Sequence, residues 1–184
     1  MRFPLIEQVG LPVHFERYVP GALHPDGRRY LPQLVFRLAT GLLMGVVDRH
    51  HYVDPEQAGQ AGTAQFVYLL SKLALQPPGT QRRGIMAEAQ TPGHVSTAPR
   101  AYGQIVALPS WELRRDALPY DTLYTELLLD VGDGVVGVRT SLTADNLAAQ
   151  IGAAQLAVGD WLAVSRSRID ILGFSPQVVN RARS

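Results

Sequence analysis

Leu127-Leu128-Leu129-Asp130-Val131-Gly132-Asp133-Gly134-Val135-Val136 is the stretch on which the fold turns. Two apolar runs flank an Asp-Gly step, which is among the strongest short-range signals of a β-hairpin. The first strand is read as Leu123 to Val131 and its partner as Val135 to Ser141. On the partner strand Arg139 alternates out of phase with Val136 and Val138. If those valines face a core, Arg139 faces outward.

Downstream lies the best helix signal in the chain. Ser141 or Thr143 can cap it, and Asp145 sits in the first turn, where a carboxylate suits the helix dipole. Leu147, Ala148 and Ile151 are expected to face the core, and Gly152 weakens the end. Asp160 to Arg166 and Arg168 to Phe174 then read as a last strand pair or one long bent strand, stopped by Ser175-Pro176. Residues 176–184 are expected to be a flexible tail. Upstream, Tyr102 to Leu108 alternates as a strand, and Pro109 to Tyr120 is a long loop carrying Trp111, Arg114 and Arg115.

The resulting order is strand, long loop, strand, tight turn, strand, helix, strand, strand. It is carried by Tyr102-Gly103-Gln104-Ile105-Val106, by the hairpin above, by Leu142 to Ile151 and by Val158-Gly159-Asp160-Trp161-Leu162-Ala163-Val164. This order resembles that of an OB-fold barrel over residues 102–174. The resemblance implies five strands closing a Greek-key barrel, with the helix between the third and fourth strands plugging one end. No particular family signature is present. The expected fold is therefore mainly β, with an OB-like five-stranded barrel and one capping helix at 101–175.

The first half is less ordered in its pattern. Residues 1–30, rich in Pro, Gly and His, read as an extended arm, and residues 31–100 as a β-rich part. Leu34 to Leu38 and Gly41 to Arg49 read as strands, and Asp54 to Gly62 as a polar loop. Gln65 to Gln76, the turn Pro77-Pro78-Gly79, and Gln81 to Gln90 read as a further hairpin, followed by a linker at Thr91 to Arg100. Gly41-Leu42-Leu43-Met44-Gly45 and Gly103-Gln104-Ile105-Val106-Ala107 suggest a faint repeat. On that basis the first half is a degenerate second barrel or a β-extension, with chance similarity as the competing explanation.

Composition narrows the function classes. The chain has 184 residues and no Cys, which removes disulfides, thiolate metal sites and a cysteine nucleophile. The longest apolar run, Gly41 to Val47, is too short to span a bilayer, and the N-terminus lacks the apolar core of a signal peptide. A cytoplasmic protein without membrane contact is expected. Net charge is +1, yet the basic residues are sixteen Arg and only Lys72. Codon usage in a GC-rich genome accounts for this, and so does a need for guanidinium forks on phosphates.

The search for catalytic chemistry yields little. His50-His51 lies near Asp48 and Asp54, but adjacent residues on a strand point to opposite faces and cannot share one metal without a kink. No phosphate-binding Gly loop, nucleophile elbow or zinc helix motif occurs. Neither an enzyme nor a metal or organic cofactor is expected.

What the resemblance implies is single-strand binding. An OB-fold groove lies across the second and third strands and between the loops that join strands one to two and four to five. It needs cations for phosphates and aromatic faces for bases. Trp111, Arg114, Arg115 and Tyr120 fall in the first loop, Tyr124 at the next strand, Arg139 on the third strand, and Arg166 and Arg168 at the last junction. The pairs Arg28-Arg29 and Arg82-Arg83 add a phosphate path from the first half, with Arg82-Arg83, after Pro77-Pro78-Gly79, expected near a hairpin tip. Trp161, at a strand start, reads as core. The expected function is sequence-tolerant binding of single-stranded nucleic acid, with DNA put ahead of RNA. The alternatives are a protein-interaction or structural barrel, with a homodimer as the expected assembly, and an enzyme of unknown class.

Overall fold

Strands at the surface of this chain bury alternate residues and central ones bury continuous runs, as the computed structural model, which describes residues 3, 5–88, 91, 93–108, 125–142, 144–165 and 167–177, shows. The first part holds β1 (Leu11–Val19), β2 (Gln33–Leu38), β3 (Leu43–Val47), β4 (Ala61–Leu69) and β5 (Lys72–Leu75). Short strands β6 (Gly84–Met86) and β7 (Val95–Ser96) follow. The second part holds β8 (Arg100–Ala107), β9 (Glu126–Asp130), β10 (Val135–Arg139), helix α1 (Ala144–Ile151), β11 (Trp161–Ser165) and β12 (Arg168–Pro176). The chain is mainly β and carries a closed OB-like barrel with one helix, as the sequence implies.

The strands form two rings. β1, β2, β3, β12 and β4 make the first, closed by antiparallel pairing of β1 with β4. The second runs from the end of β4 through β10, β9, β8 and β11 to β5, which prolongs β4 beyond Leu70 and Ser71. Thus β4 is the fourth strand of the first ring, while its continuation is the fifth strand of the second. Likewise β11 is the fourth strand of the second ring, and β12 is the fifth of the first. The two halves have exchanged their fifth strands.

This corrects the expected pairing of 160–166 with 168–174 and the expected hairpin after Gln65. β11 pairs with β8 and β5, β12 pairs with β4 and β3, and β6 pairs with β8. The physical reason is the length and chemistry of the junctions. Only Leu70-Ser71 and Arg166-Ser167 separate each fourth strand from its fifth. Two-residue hairpins want Asn-Gly or similar steps, and neither junction has one. The chain therefore runs on into the neighbouring ring. Leu70 makes the bend in the left-handed region at φ 54. The hydroxyls of Ser71 and Ser167 share a hydrogen bond of 2.7 Å where the two crossings meet.

The repeat is real but differs from the one expected. Gly41 to Gly45 corresponds to the third strand β10, not to β8. Val35 pairs with Gly45 on β2–β3, and Leu128 pairs with Gly137 on β9–β10. The N-terminal arm is also corrected: Leu11, Val13 and Phe15 are buried and form the core face of β1. Pro12 and His14, which suggested a loop, occupy the opposite face of that strand.

Phe15, Phe36, Phe66 and Phe174, one from each of β1, β2, β4 and β12, meet inside the first barrel at centroid distances of 4.8–5.8 Å. Ile105, Leu127, Leu129, Val136, Val138, Leu162 and Val164 are buried within the second part, and α1 adds Leu147 and Ala148. Between β3 and β4, where the second barrel has its helix, the first has only a short 3₁₀ turn at Pro55–Gln57. No helix among the described residues is long and apolar enough to cross a membrane.

Candidate nucleic-acid interface

The groove expected across the second and third strands of the C-terminal barrel is covered by the chain itself. Leu128 of β9 and Gly137 of β10 face outward there, and Phe3 lies on them. A Cβ at Gly137 would come within 2.8 Å of the Phe3 ring, so the glycine makes room for it. Phe3 and Val9 join Val67, Leu69, Leu128 and Leu172 in a second apolar cluster. Gln65 Nε2 ties this segment down by donating to the Ile6 carbonyl at 3.0 Å. Arg139 does face out of the barrel, as its phase requires, but its guanidinium is half-buried and paired with the buried Glu126 carboxylate on β9.

A different face gathers the cations and rings. On β8, Ala101, Gly103 and Ile105 point inward, so Tyr102 and Gln104 point out. On β11, Leu162 and Val164 point inward, so Trp161 and Ala163 point out. Register places Tyr102 beside Ala163 and Gln104 beside Trp161. Trp161, expected in the core, therefore stands on the outer surface, half-exposed.

Arg82 and Arg83 cross this surface. The Arg82 guanidinium carbon lies 3.9 Å from the centroid of Tyr102, and that of Arg83 lies 4.9 Å from Trp161. Both are within the range of cation–π attraction. Arg83 also donates from Nη2 to Gln104 Oε1 at 2.8 Å, and its Nε lies 3.2 Å from Asp130 Oδ2. Arg100 completes the cluster. Burial raises the Tyr102 phenol, but hydrogen bonds and charge from Arg100 and Arg82 outweigh it and hold the pKa below that of an ordinary tyrosine.

Gln76 fixes this arrangement. Its buried carboxamide donates to Leu162 O at 2.8 Å and to Arg82 O at 3.0 Å, and accepts from Arg82 N at 2.9 Å. The side chain thus fastens the backbone of Arg82 to strand β11. A cavity of about 240 Å³ opens beside Tyr102, bounded by Leu75, Pro77, Thr80 and Ala163.

Of the other expected residues that the structure describes, Arg139 and Arg168 do not join this cluster. Trp111, Arg114, Arg115, Tyr120, Tyr124 and Arg166 lie outside the described residues. Arg168 Nε donates to the buried Asp170 at 3.1 Å, and Arg49 lies 3.7 Å from the same carboxylate. These two guanidinium groups neutralise an interior charge. Tyr102, Trp161, Arg100 and Gln76 were missed as site residues. The signal that points to Tyr102 is the alternation of Ala101, Gly103 and Ile105 against Tyr102 and Gln104, and that for Trp161 is the alternation of Leu162 and Val164 against Trp161 and Ala163.

A cavity of about 810 Å³ lies beside the β2–β3 turn, lined by Leu42, Leu43, Ile85, Met86, Glu16 and Arg37 among others. Its charges are spent on each other, because Glu16 holds both Arg37 and His14. Burial raises the Glu16 carboxyl, and Arg37 and then His14 bring it below the usual range. His50 and His51 are exposed beyond β3. The Asp48 carboxylate accepts backbone N–H groups of His50, Tyr52 and Val53, and Asp54 caps the 3₁₀ turn. Among the described residues no group of three His, Cys, Asp or Glu is placed to hold a metal ion.

No protein-family model matches the sequence, and no curated protein matches it. A solved structure of a cytoplasmic molybdate-binding protein, ModG, in a PEG-grown form with molybdate bound, is similar over 93% of this chain and 98% of that chain. The identity is 12% and the TM-score 0.45. At that level the likeness assigns neither family nor ligand.

Proposed function

We propose that the chain binds single-stranded nucleic acid, DNA ahead of RNA, with little sequence preference, through the outer face of β8 and β11. The observation that carries this reading is the double stack of Arg82 on Tyr102 and Arg83 on Trp161. Guanidinium groups suit phosphate oxygens as planar forks. Aromatic faces suit any base, because every base has a π-face. Of Arg82, Arg83 and Arg100, only Arg83 has an ion-pair partner among the described residues, Asp130. Gln76 holds Arg82 in place before any ligand arrives, which reduces the ordering cost of binding. On this reading the arginines turn toward phosphates and the exposed parts of Tyr102 and Trp161 receive bases.

The test is filter binding of a labelled thirty-base oligo-dT to wild type, Arg82→Glu/Arg83→Glu and Tyr102→Ala. Charge reversal is expected to abolish retention at moderate salt. Tyr102→Ala is expected to weaken it by about tenfold, the value of one lost stacking contact. Equal retention of all three proteins would overturn the assignment of this face.

A further inference from the structure

The connection between β1 and β2 is an ordered hairpin that displays its large side chains instead of packing them. His24 N donates to Arg28 O at 2.7 Å, Gly27 N to His24 O at 2.9 Å and Tyr30 N to Ala22 O at 2.9 Å. Asp26 accepts from Arg28 N at 3.0 Å, and Leu23 and Arg29 form an antiparallel bridge. At Gly21 a Cβ would fall 1.7 Å from the Tyr30 carbonyl, so the tight return requires glycine there. Yet Leu23 is 64% exposed, Tyr30 60% and Leu31 41%. Ordering a loop costs conformational entropy, and apolar groups gathered on an ordered tip mark a contact surface.

The chemistry of that tip matches the strip on β8 and β11. Tyr30 offers an aromatic face, with the His24 ring nearly perpendicular to it at 5.5 Å. Arg28, whose side chain is 86% exposed, is held by Asp26, and Arg29 Nη1 rests on Gly21 O at 3.3 Å. Two arginines against one aspartate leave a positive balance. The sequence repeats this signature: Arg28-Arg29 is followed by Leu31-Pro32 before β2, and Arg114-Arg115 by Leu118-Pro119 before β9.

We infer that the β1–β2 hairpin is a second contact for the same nucleic-acid strand, with a base on Tyr30 and phosphates at Arg28 and Arg29. This rests on the proposed function above. The two contacts are well separated. Gly10, just before β1, pairs with Val135 at the turn where Arg83 packs against Gly132. β1 then runs nine residues, about 30 Å, toward the hairpin. A short oligonucleotide therefore reaches one contact, and a long one reaches both.

The experiment compares fluorescence anisotropy of six-base and thirty-base oligo-dT with wild type, Tyr30→Ala and Tyr30→Phe. Wild type is expected to prefer the longer strand strongly. Tyr30→Ala should weaken thirty-base binding by about tenfold, leave six-base binding at the strip intact, and be rescued by Tyr30→Phe. Thirty-base binding untouched by Tyr30→Ala would overturn the hairpin contact while the strip stands. Failure of wild type to bind either oligonucleotide would overturn both.

Discussion

Cutting the chain after Glu88, through an inserted protease site, tests the exchange of fifth strands. The cut separates β1–β6 from β7–β12, so each fragment loses one strand of its own ring. The first fragment loses β12, which buries Ile169, Ile171, Leu172 and Phe174. At about 1.5–3 kcal/mol for each such side chain, the loss is about 6–12 kcal/mol. That equals the whole stability of a typical domain, about 5–15 kcal/mol. The second fragment loses β5, the partner of β11, together with buried Leu73. After cleavage of the folded protein the fragments are expected to co-elute as a 1:1 complex on size exclusion, with unchanged far-UV circular dichroism. Separated in denaturant, each should stay unfolded alone after dilution and recover β structure on mixing. Fragments that elute apart while each keeps its β signal would refute the exchange.

Three further outcomes follow from packing and hydrogen bonding. Gly137→Val forces a side chain against Phe3 and Val67, and is expected to cost about 1–3 kcal/mol in urea unfolding; adding Phe3→Ala should recover part of that. The Tyr68 hydroxyl is buried and has no hydrogen-bond partner among the described residues, so Tyr68→Phe should be neutral or stabilising by up to about 1 kcal/mol. Burial raises the Tyr68 pKa, so the folded state favours the neutral phenol. That stability is complete below the ordinary tyrosine value of about 10 and is lost as pH rises above it. Tyr68→Phe should flatten this alkaline loss in pH-dependent unfolding. Gln76→Leu leaves the Leu162 carbonyl and both backbone groups of Arg82 without this partner; it should cost about 2 kcal/mol and lower oligonucleotide affinity together with stability.

The sequence was legible where local signals agreed. The Asp-Gly turn, the apolar runs on either side of it and the amphipathic helix all point to one barrel, and β9, β10 and α1 stand where they were expected. What the pattern could not convey was partnership. Nothing local distinguishes a fifth strand that folds back from one that crosses over, except the missing turn residues at Leu70-Ser71 and Arg166-Ser167. β1 was hidden because Pro12 and His14 occupy its outer face while Leu11, Val13 and Phe15 fill the core. For the site, Arg82 and Arg83 were visible as cations, but their ring partners were not. Tyr102 and Trp161 are brought to one surface by pairing of β8 with β11, a register fixed only by the closed sheet. The part of the inferred groove on the outer face of β9 and β10 is covered for a similar reason, since it is Phe3, distant in sequence, that packs on Gly137.

The most direct test of the central claim is the salt dependence of single-strand binding. A labelled thirty-base oligo-dT is titrated with wild-type protein across a series of salt concentrations, with a duplex of the same length and the matching RNA as controls. Three arginine contacts at about 0.7 each give an expected slope of about −2 in log affinity against log salt from the strip alone, steeper if the hairpin contributes. Micromolar or tighter binding at low salt, preferring single strands and weakening along that slope, is the expected result. No binding of DNA or RNA at low salt, or equal binding of duplex and single strand, would contradict it.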